Sequence, residues 1–410
     1  MILDLFAGPG GWSQALTMLG VRDVGLEWDE WACKTRAAAG QLTIRTDVAA
    51  YPLWPFLGRI TGLIASPPCQ AWSMAGKRLG LVDQPLVHQA VADLAKGLDT
   101  REQLLAVCRD PRSLLAAEPM RYLHALHQHG QPEWVAMEEV PDVLPLWRQY
   151  AAILRTWGYS AWTGILNAAD YGVPQTRRRA ILLASRTRTA EPPPPTHAKL
   201  AEPDSLFGPG RARWISMAEA LGWGATDRPV PTVCAGGGPG GGPEPFPSGS
   251  RKTLSDARDR GTWKPHPPAN SPAVVADGRA EKTSGGDDAL ATPTVWRWTL
   301  RSNNQANATV RTIDEPAGTL FFGHRANECV WQAEPTLSMP PGTAPAPDPI
   351  RITAAEAGIL QTFPADYPWQ GNKGQIFSQV GNAVPPRLAA HLLAPHLGKT
   401  LTPDDFTLAA

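Results

Sequence analysis

Thr61-Gly62-Leu63-Ile64-Ala65-Ser66-Pro67-Pro68-Cys69-Gln70 is the stretch that decides how this chain folds. Residues 61–65 are an apolar run that reads as a buried strand. The prolines end that strand and stiffen the turn after it. Cys69 is thereby presented at the carboxyl end of a sheet strand, where open α/β sheets place their ligands. A thiolate there is a candidate covalent catalyst. Burial as a structural residue is the commoner fate of a free cysteine, so the neighbours must decide.

Working outward, residues 1–6, 24–28, 42–48, 134–140, 160–167 and 179–185 also read as strands. Helix-like segments lie between most of them, among them residues 12–19, stopped by Gly20. Strands separated by helices predict an α/β fold with a doubly wound, mostly parallel sheet over residues 1–190. Composition changes after Arg188, where Pro192 to Pro195 form a stiff extended linker. Residues 191–348 are Pro/Gly-rich. They carry a weak repeat, a turn proline followed by a short strand, at residues 228–233, 271–275, 292–295, 315–320 and 334–337. A small β-rich inserted domain is expected there, with a Gly-rich loop at 235–242. Helical pattern returns after Arg351: Thr353-Ala354-Ala355-Glu356 has capping-box form, and Pro385-Pro386 opens a helix over 387–393. The segment 349–410 is expected to return to the first domain.

Formal net charge is zero, so any contact with nucleic acid must come from local patches. The five cysteines (Cys33, Cys69, Cys108, Cys234, Cys329) form no Cys-x-x-Cys pair. That argues against a disulfide framework or a metal site and for a reducing compartment. The N-terminus runs straight into a strand pattern, without a signal peptide. No apolar run approaches the roughly 18 residues of a membrane span. A cytoplasmic, nucleoid-associated protein with no membrane partner is expected.

Strand ends carry the chemistry. The turn Ala7-Gly8-Pro9-Gly10-Gly11 lacks the Gly-x-Gly-x-x-Gly spacing of a dinucleotide site, yet permits close backbone approach at a helix start. Glu27 ends the second strand, where ribose hydroxyls are commonly bound, and Asp47 ends the third. Gly-turn, acid, acid at successive strand ends fits an adenosine ligand without a pyrophosphate. Singly, each acid reads equally as a helix cap or a solvated loop residue.

Together these segments resemble the DNA cytosine-5 methyltransferase family. Asp4-Leu-Phe-Ala-Gly-Pro-Gly-Gly-Trp12 resembles its cofactor motif, and Ser66-Pro-Pro-Cys-Gln70 its nucleophile motif. Glu138-Glu139-Val140 resembles Glu-Asn-Val, and Gln175-Thr-Arg-Arg-Arg179 resembles Gln-x-Arg-x-Arg. Gln379-Val-Gly-Asn-Ala-Val-Pro385 resembles the C-terminal motif. The match runs in order from residue 2 to about 395, with residues 191–348 in the place of the variable target-recognition domain.

The resemblance implies transfer of a methyl group from S-adenosylmethionine to cytosine carbon 5. Cys69 would attack carbon 6, and Glu138 would supply an acid at ring nitrogen 3, given desolvation of its carboxyl. Arg177 and Arg179, on one face by strand alternation, would hold the cytosine carbonyl and the active-site loop; Arg178 would face away. Phe6, Gly8, Pro9 and Gly10 would surround the cofactor. Glu27 would bind its ribose, Trp28 its adenine ring, Asp47 its amino group with Val48 alongside. Pro68, Leu115, Asn382 and Ala383 would complete the pocket, Leu115 through the similarity of Asp110-Pro-Arg-Ser-Leu-Leu115 to a family segment. The chain departs from the family at Glu139, usually Asn and expected on the opposite strand face, and in an extra helical stretch at 82–109, which could lengthen a loop over the DNA.

Duplex DNA is then the expected partner, its target base flipped out of the stack. Arg251, Lys252, Arg258, Arg260, Lys264, Arg297, Arg301, Arg311 and Arg325 are candidates for phosphate or base contact. A monomer is expected, with a restriction endonuclease as a functional companion. The alternatives are the same chemistry on tRNA, disfavoured by the long middle domain; a thymidylate-synthase-like enzyme, disfavoured by the Gly turn and strand-end acids; and a silent DNA-binding protein, disfavoured by Cys69 and Glu138.

Overall fold

Seven strands form the central sheet: β1 (Ile2–Leu5), β2 (Asp23–Glu27), β3 (Leu42–Arg45), β4 (Gly62–Ala65), β5 (Trp134–Glu139), β6 (Ser160–Asn167) and, after the two-residue β7 (Gln175–Thr176), β8 (Arg178–Ser185). The computed structural model describes residues 1–72, 79–205, 209–221, 296–302, 308–320, 329–335, 350–402 and 406. Strand order is β3-β2-β1-β4-β5-β8-β6. The first five are mutually parallel; β8 runs antiparallel to both β5 and β6. This is the predicted doubly wound, mostly parallel sheet. β1 and β4 are buried along their whole length, as their continuous apolar sequence requires of central strands covered on both faces.

One face packs against α3 (Leu79–Leu94), α5 (Glu118–His129) and α6 (Leu144–Thr156), through Leu3, Leu63, Val91, Leu123, Met137 and Trp147. The other packs against α1 (Gly11–Met18) and α10 (Pro386–Leu393), through Leu16, Ile64, Ala136, Ile181 and Leu388. Each fully buried Leu, Ile or Val is worth about 1.5–3 kcal/mol. The C-terminal helix α10 thus belongs to the central sheet's core. α2 (Glu30–Ala38) is capped by Asp29, whose side chain accepts from the Ala32 amide. A short helix, α4 (Arg101–Leu105), follows α3.

The extra stretch corrects one expectation. It is helical, but Val87, Ala90 and Val91 are fully buried in the main core. α3 is therefore a packed wall of the domain and not a loop reaching over DNA. Asp83, also buried, closes the stretch on itself by accepting from the Arg109 and Asp110 amides and the Ser113 hydroxyl.

A second, antiparallel sheet has the order β12-β11-β14-β15, and there are two small parallel pairs, β9 with β10 and β7 with β13. Its strands are β11 (Trp296–Arg301), β12 (Val310–Thr312), β14 (Val330–Pro335) and β15 (Ile350–Arg351); the pairs use β9 (His197–Ala198), β10 (Ala212–Arg213) and β13 (Ala317–Gly318). Leu300, Ile313 and Trp331 share a core with α7 (Met217–Ala220), α8 (Ala354–Leu360) and α9 (Lys373–Asn382). Both predicted C-terminal helix starts are present, α8 with Thr353 and Glu356 in a reciprocal capping box. Of the weak repeat, residues 315–320 contain β13, and Glu334-Pro335 end β14 where a strand start was expected. The other three copies and the Gly-rich loop lie outside the described residues.

Candidate active site

The strand order reverses direction between β1 and β4, the crevice in which such sheets bind ligands. β1 feeds the Gly turn and β4 feeds Cys69. The two turns are joined: the Ser66 amide donates to the Leu5 carbonyl at 3.2 Å, and the Trp12 indole donates to the Ser66 hydroxyl at 2.9 Å.

The first turn is a strained cradle. Phe6 has φ 61°, a left-handed conformation that costs a non-glycine residue about 1–3 kcal/mol. A Cβ on Gly8 would meet nothing within 4 Å, so that position faces open space, whereas one on Gly11 would sit 2.1 Å from the Val384 carbonyl oxygen. The Gly8 and Asp29 amides both donate to the Glu27 carboxylate at 2.7 Å. Burial raises the Glu27 pKa, and these amides oppose the rise. Trp28 follows it, 70 % exposed, an uncovered aromatic face beside the acid. Asp47 accepts from the Ala49 amide at 2.9 Å. The Val48 side chain is buried in the core, and its carbonyl accepts from Tyr122 and Arg121.

The C-terminal segment closes onto this cradle. Ala383 is buried against Phe363 and Tyr367, and Asn382 is exposed at the end of α9. Tyr367 donates its hydroxyl to the Pro9 carbonyl at 2.6 Å and accepts from Gln41 at 3.2 Å. Sequence reading missed Tyr367, which carries no motif of its own. It also passed over Asp4, which is fully buried with both carboxylate oxygens unpartnered. Burial first, then the Asp23 charge, pushes the Asp4 pKa well up. A glycine cradle open at Gly8, with acids at the next two strand ends and an exposed indole, fits a nucleoside ligand.

The second turn is charged. Cys69 opens a 3-10 turn capped by Pro68, and is half-buried. Glu138 pairs with Arg179, Oε1 to Nε 2.9 Å, and both are buried. Arg177 is buried too and donates to the Gly381 carbonyl at 3.1 Å, while Arg178 is exposed, as strand alternation predicted. Burial pushes the Cys69 thiol up to about 12. Glu139 adds to the rise, Arg179 and Arg177 oppose it, and Glu138 raises it further. Arg177 falls to about 9, by burial and by repulsion from Arg179. The expected placement of Glu139 across the strand does not remove it from the site: ionised, it would raise the Cys69 thiol more than Glu138 does. Gln70 accepts from Arg112 at 3.0 Å, tying this turn to the segment that ends at the half-buried Leu115.

Residues 317–319 reach the segment just before the arginines. Ala317 and Gly318 pair with Gln175 and Thr176, and Thr319 donates to the Thr176 carbonyl at 3.0 Å. Among the proposed duplex contacts, Arg301 lies at the end of β11 and Arg311 pairs with Glu315 at 3.5 Å. Arg251, Lys252, Arg258, Arg260, Lys264 and Arg325 lie outside the described residues, as does the Arg297 side chain. No helix among the described residues is long and apolar enough to cross a membrane.

The family model for C-5 cytosine-specific DNA methylase matches residues 1–91, 107–216 and 269–397. The first gap falls within the extra stretch around α3 and α4. The chain is 24% identical over 400 residues to type II methyltransferase M.PspPI of Psychrobacter sp. (strain TA137), covering 95% of this chain and 76% of that protein. It is 25% identical over 416 residues to type II methyltransferase M.DdeI of Desulfomicrobium norvegicum, covering 95% and 87%. The solved structure of Entamoeba histolytica methyltransferase EhMeth aligns over 96% of each chain at 12% identity, with a TM-score of 0.52, a likeness of fold.

Proposed function

The chain belongs to the C-5 cytosine-specific DNA methylase family, and on that premise we propose that it methylates carbon 5 of a cytosine flipped out of duplex DNA, through a covalent adduct at Cys69. The observation that carries the reading is the gathering of Cys69, Glu138, Arg177 and Arg179 at the ends of β4, β5 and β8. S-adenosylmethionine, when bound, supplies an electrophilic methyl group. Phe6, Gly8, Pro9, Gly10, Glu27, Trp28, Asp47, Val48, Pro68, Leu115, Asn382 and Ala383 are the residues proposed to hold it.

The protein's own groups do the rest. Target cytosine carbon 5 is a poor nucleophile. Sulfur adds to carbon 6, the carbon 5–carbon 6 π pair shifts into the ring, and a proton from Glu138 neutralises the charge at nitrogen 3. Carbon 5 is now enamine-like and accepts the methyl group. Loss of the carbon 5 proton to solvent, return of the nitrogen 3 proton to Glu138 and cleavage of the sulfur–carbon bond restore the aromatic ring and free Cys69. Arg177 and Arg179 favour the thiolate, since a neighbouring cation stabilises an anion. Flipping is required because neither carbon is accessible to a thiol inside the duplex.

The names of the relatives favour a role in restriction-modification, with methylation protecting DNA from a partner endonuclease. We assign the working form as a monomer in the reducing cytoplasm at the nucleoid. Bisulfite sequencing of DNA from cells expressing the protein tests activity and reads the target site together. Methylated cytosines in one sequence context are expected, and their persistence in the Cys69→Ala variant would overturn the mechanism.

A further inference from the structure

The end of β5 presents two adjacent acids to one buried cluster, and only one of them has a cationic partner. Glu138 is paired with Arg179. Glu139 is 1 % exposed, accepts only from its own neighbour's amide at Val140, and leaves Oε1 without a partner. Around these acids lie Cys69 from the turn after β4, and Arg177 and Arg179 from the start of β8. An ionised Glu139, with no cation of its own, would be a buried unpaired carboxylate beside Glu138 and would compete with the Cys69 thiolate for the same two arginines, which is strongly disfavoured.

We propose that Glu139 is a positioning residue carried as the neutral carboxylic acid, so that it does not compete with Cys69 for the positive charge of Arg177 and Arg179. This rests on the reading of Cys69 as the nucleophile. It explains how an acid stands where the family usually has neutral Asn: the site requires an uncharged polar group, and a protonated Glu is one. Burial, followed by the neighbouring Glu138 charge, raises the Glu139 pKa well above the ordinary carboxylate range, in agreement.

Alkylation of Cys69 by iodoacetamide as a function of pH, in parent and Glu139→Gln proteins, tests the charge state. Cys33 and Cys108 react in both and are resolved by peptide mass spectrometry. The expected result is an unmoved Cys69 midpoint. If Glu139 is ionised, Glu139→Gln lowers that midpoint by about one to three units, and the proposal fails. Infrared difference spectra at neutral pH give a second readout, with Glu139→Met as the alternative variant should Gln not fold. The parent is expected to show a protonated carboxyl C=O stretch that either variant lacks; absence of that band also overturns the proposal. The band reports on Glu139 whatever becomes of Cys69, so a Cys69→Ala protein that still methylates DNA would sink the proposed reaction and leave the band in place.

Discussion

The two turns at the switch point begin alike and are finished differently. Each follows a fully buried four-residue strand, β1 or β4, and the two are joined by the Trp12–Ser66 hydrogen bond. The Gly turn is shaped by backbone: positive φ angles, the Gly8 amide aimed at Glu27, and a carbonyl held by Tyr367. The cysteine turn is shaped by charge: two buried arginines and two buried glutamates around one thiol. A backbone cradle suits recognition of a ligand whose shape stays constant. A charge cluster suits a group that must change its charge during a reaction. Under the proposed function, binding falls to one turn and bond-making to the other.

Substitutions sort the two turns by size of effect. Cys69→Ala, in the charged turn, is expected to abolish methyl transfer while DNA binding persists, read by methyl incorporation and gel shift. Glu138→Gln should slow transfer by about 10²–10⁴-fold, the usual worth of a positioned proton donor, with cofactor affinity preserved in a calorimetric titration. Gly11→Ala belongs to the backbone turn. Its Cβ would press on the Val384 carbonyl, and a cost of about 1–3 kcal/mol is expected, seen as a lower melting temperature and a higher KM for S-adenosylmethionine. Tyr367→Phe should be mildest, losing a hydrogen bond worth about 0.5–1.5 kcal/mol, as a rise in cofactor Kd with little change in kcat. If Tyr367→Phe instead reduces kcat as severely as Glu138→Gln, the division between the turns is wrong.

The strand ends were legible from sequence because β1, β4 and β5 are short apolar runs closed by glycine, proline or acid. Cys69, Glu138 and the alternation of Arg177 with Arg179 followed from those boundaries. The α3 segment read as helical, but nothing local says which helix face finds a core, so its burial was not foreseen. Tyr367 lies 358 residues from Pro9, a contact that no periodicity encodes. The condition of Glu139 was illegible for a related reason: its lack of a cation depends on which acid reaches Arg179, and that is decided only when β8 pairs with β5.

The parallel pairing of β13 with β7 has a consequence for engineering. Residues 317–319 are hydrogen-bonded to Thr176, the residue immediately before Arg177: the Thr176 hydroxyl donates to the Ala317 carbonyl, and the Thr319 hydroxyl donates to the Thr176 carbonyl. A transplanted domain from a relative of different sequence preference therefore cannot be an independent cassette. Grafts whose junctions retain residues 315–320 should keep the arginines seated, while grafts that cut inside that stretch trade a change of target for a loss of turnover.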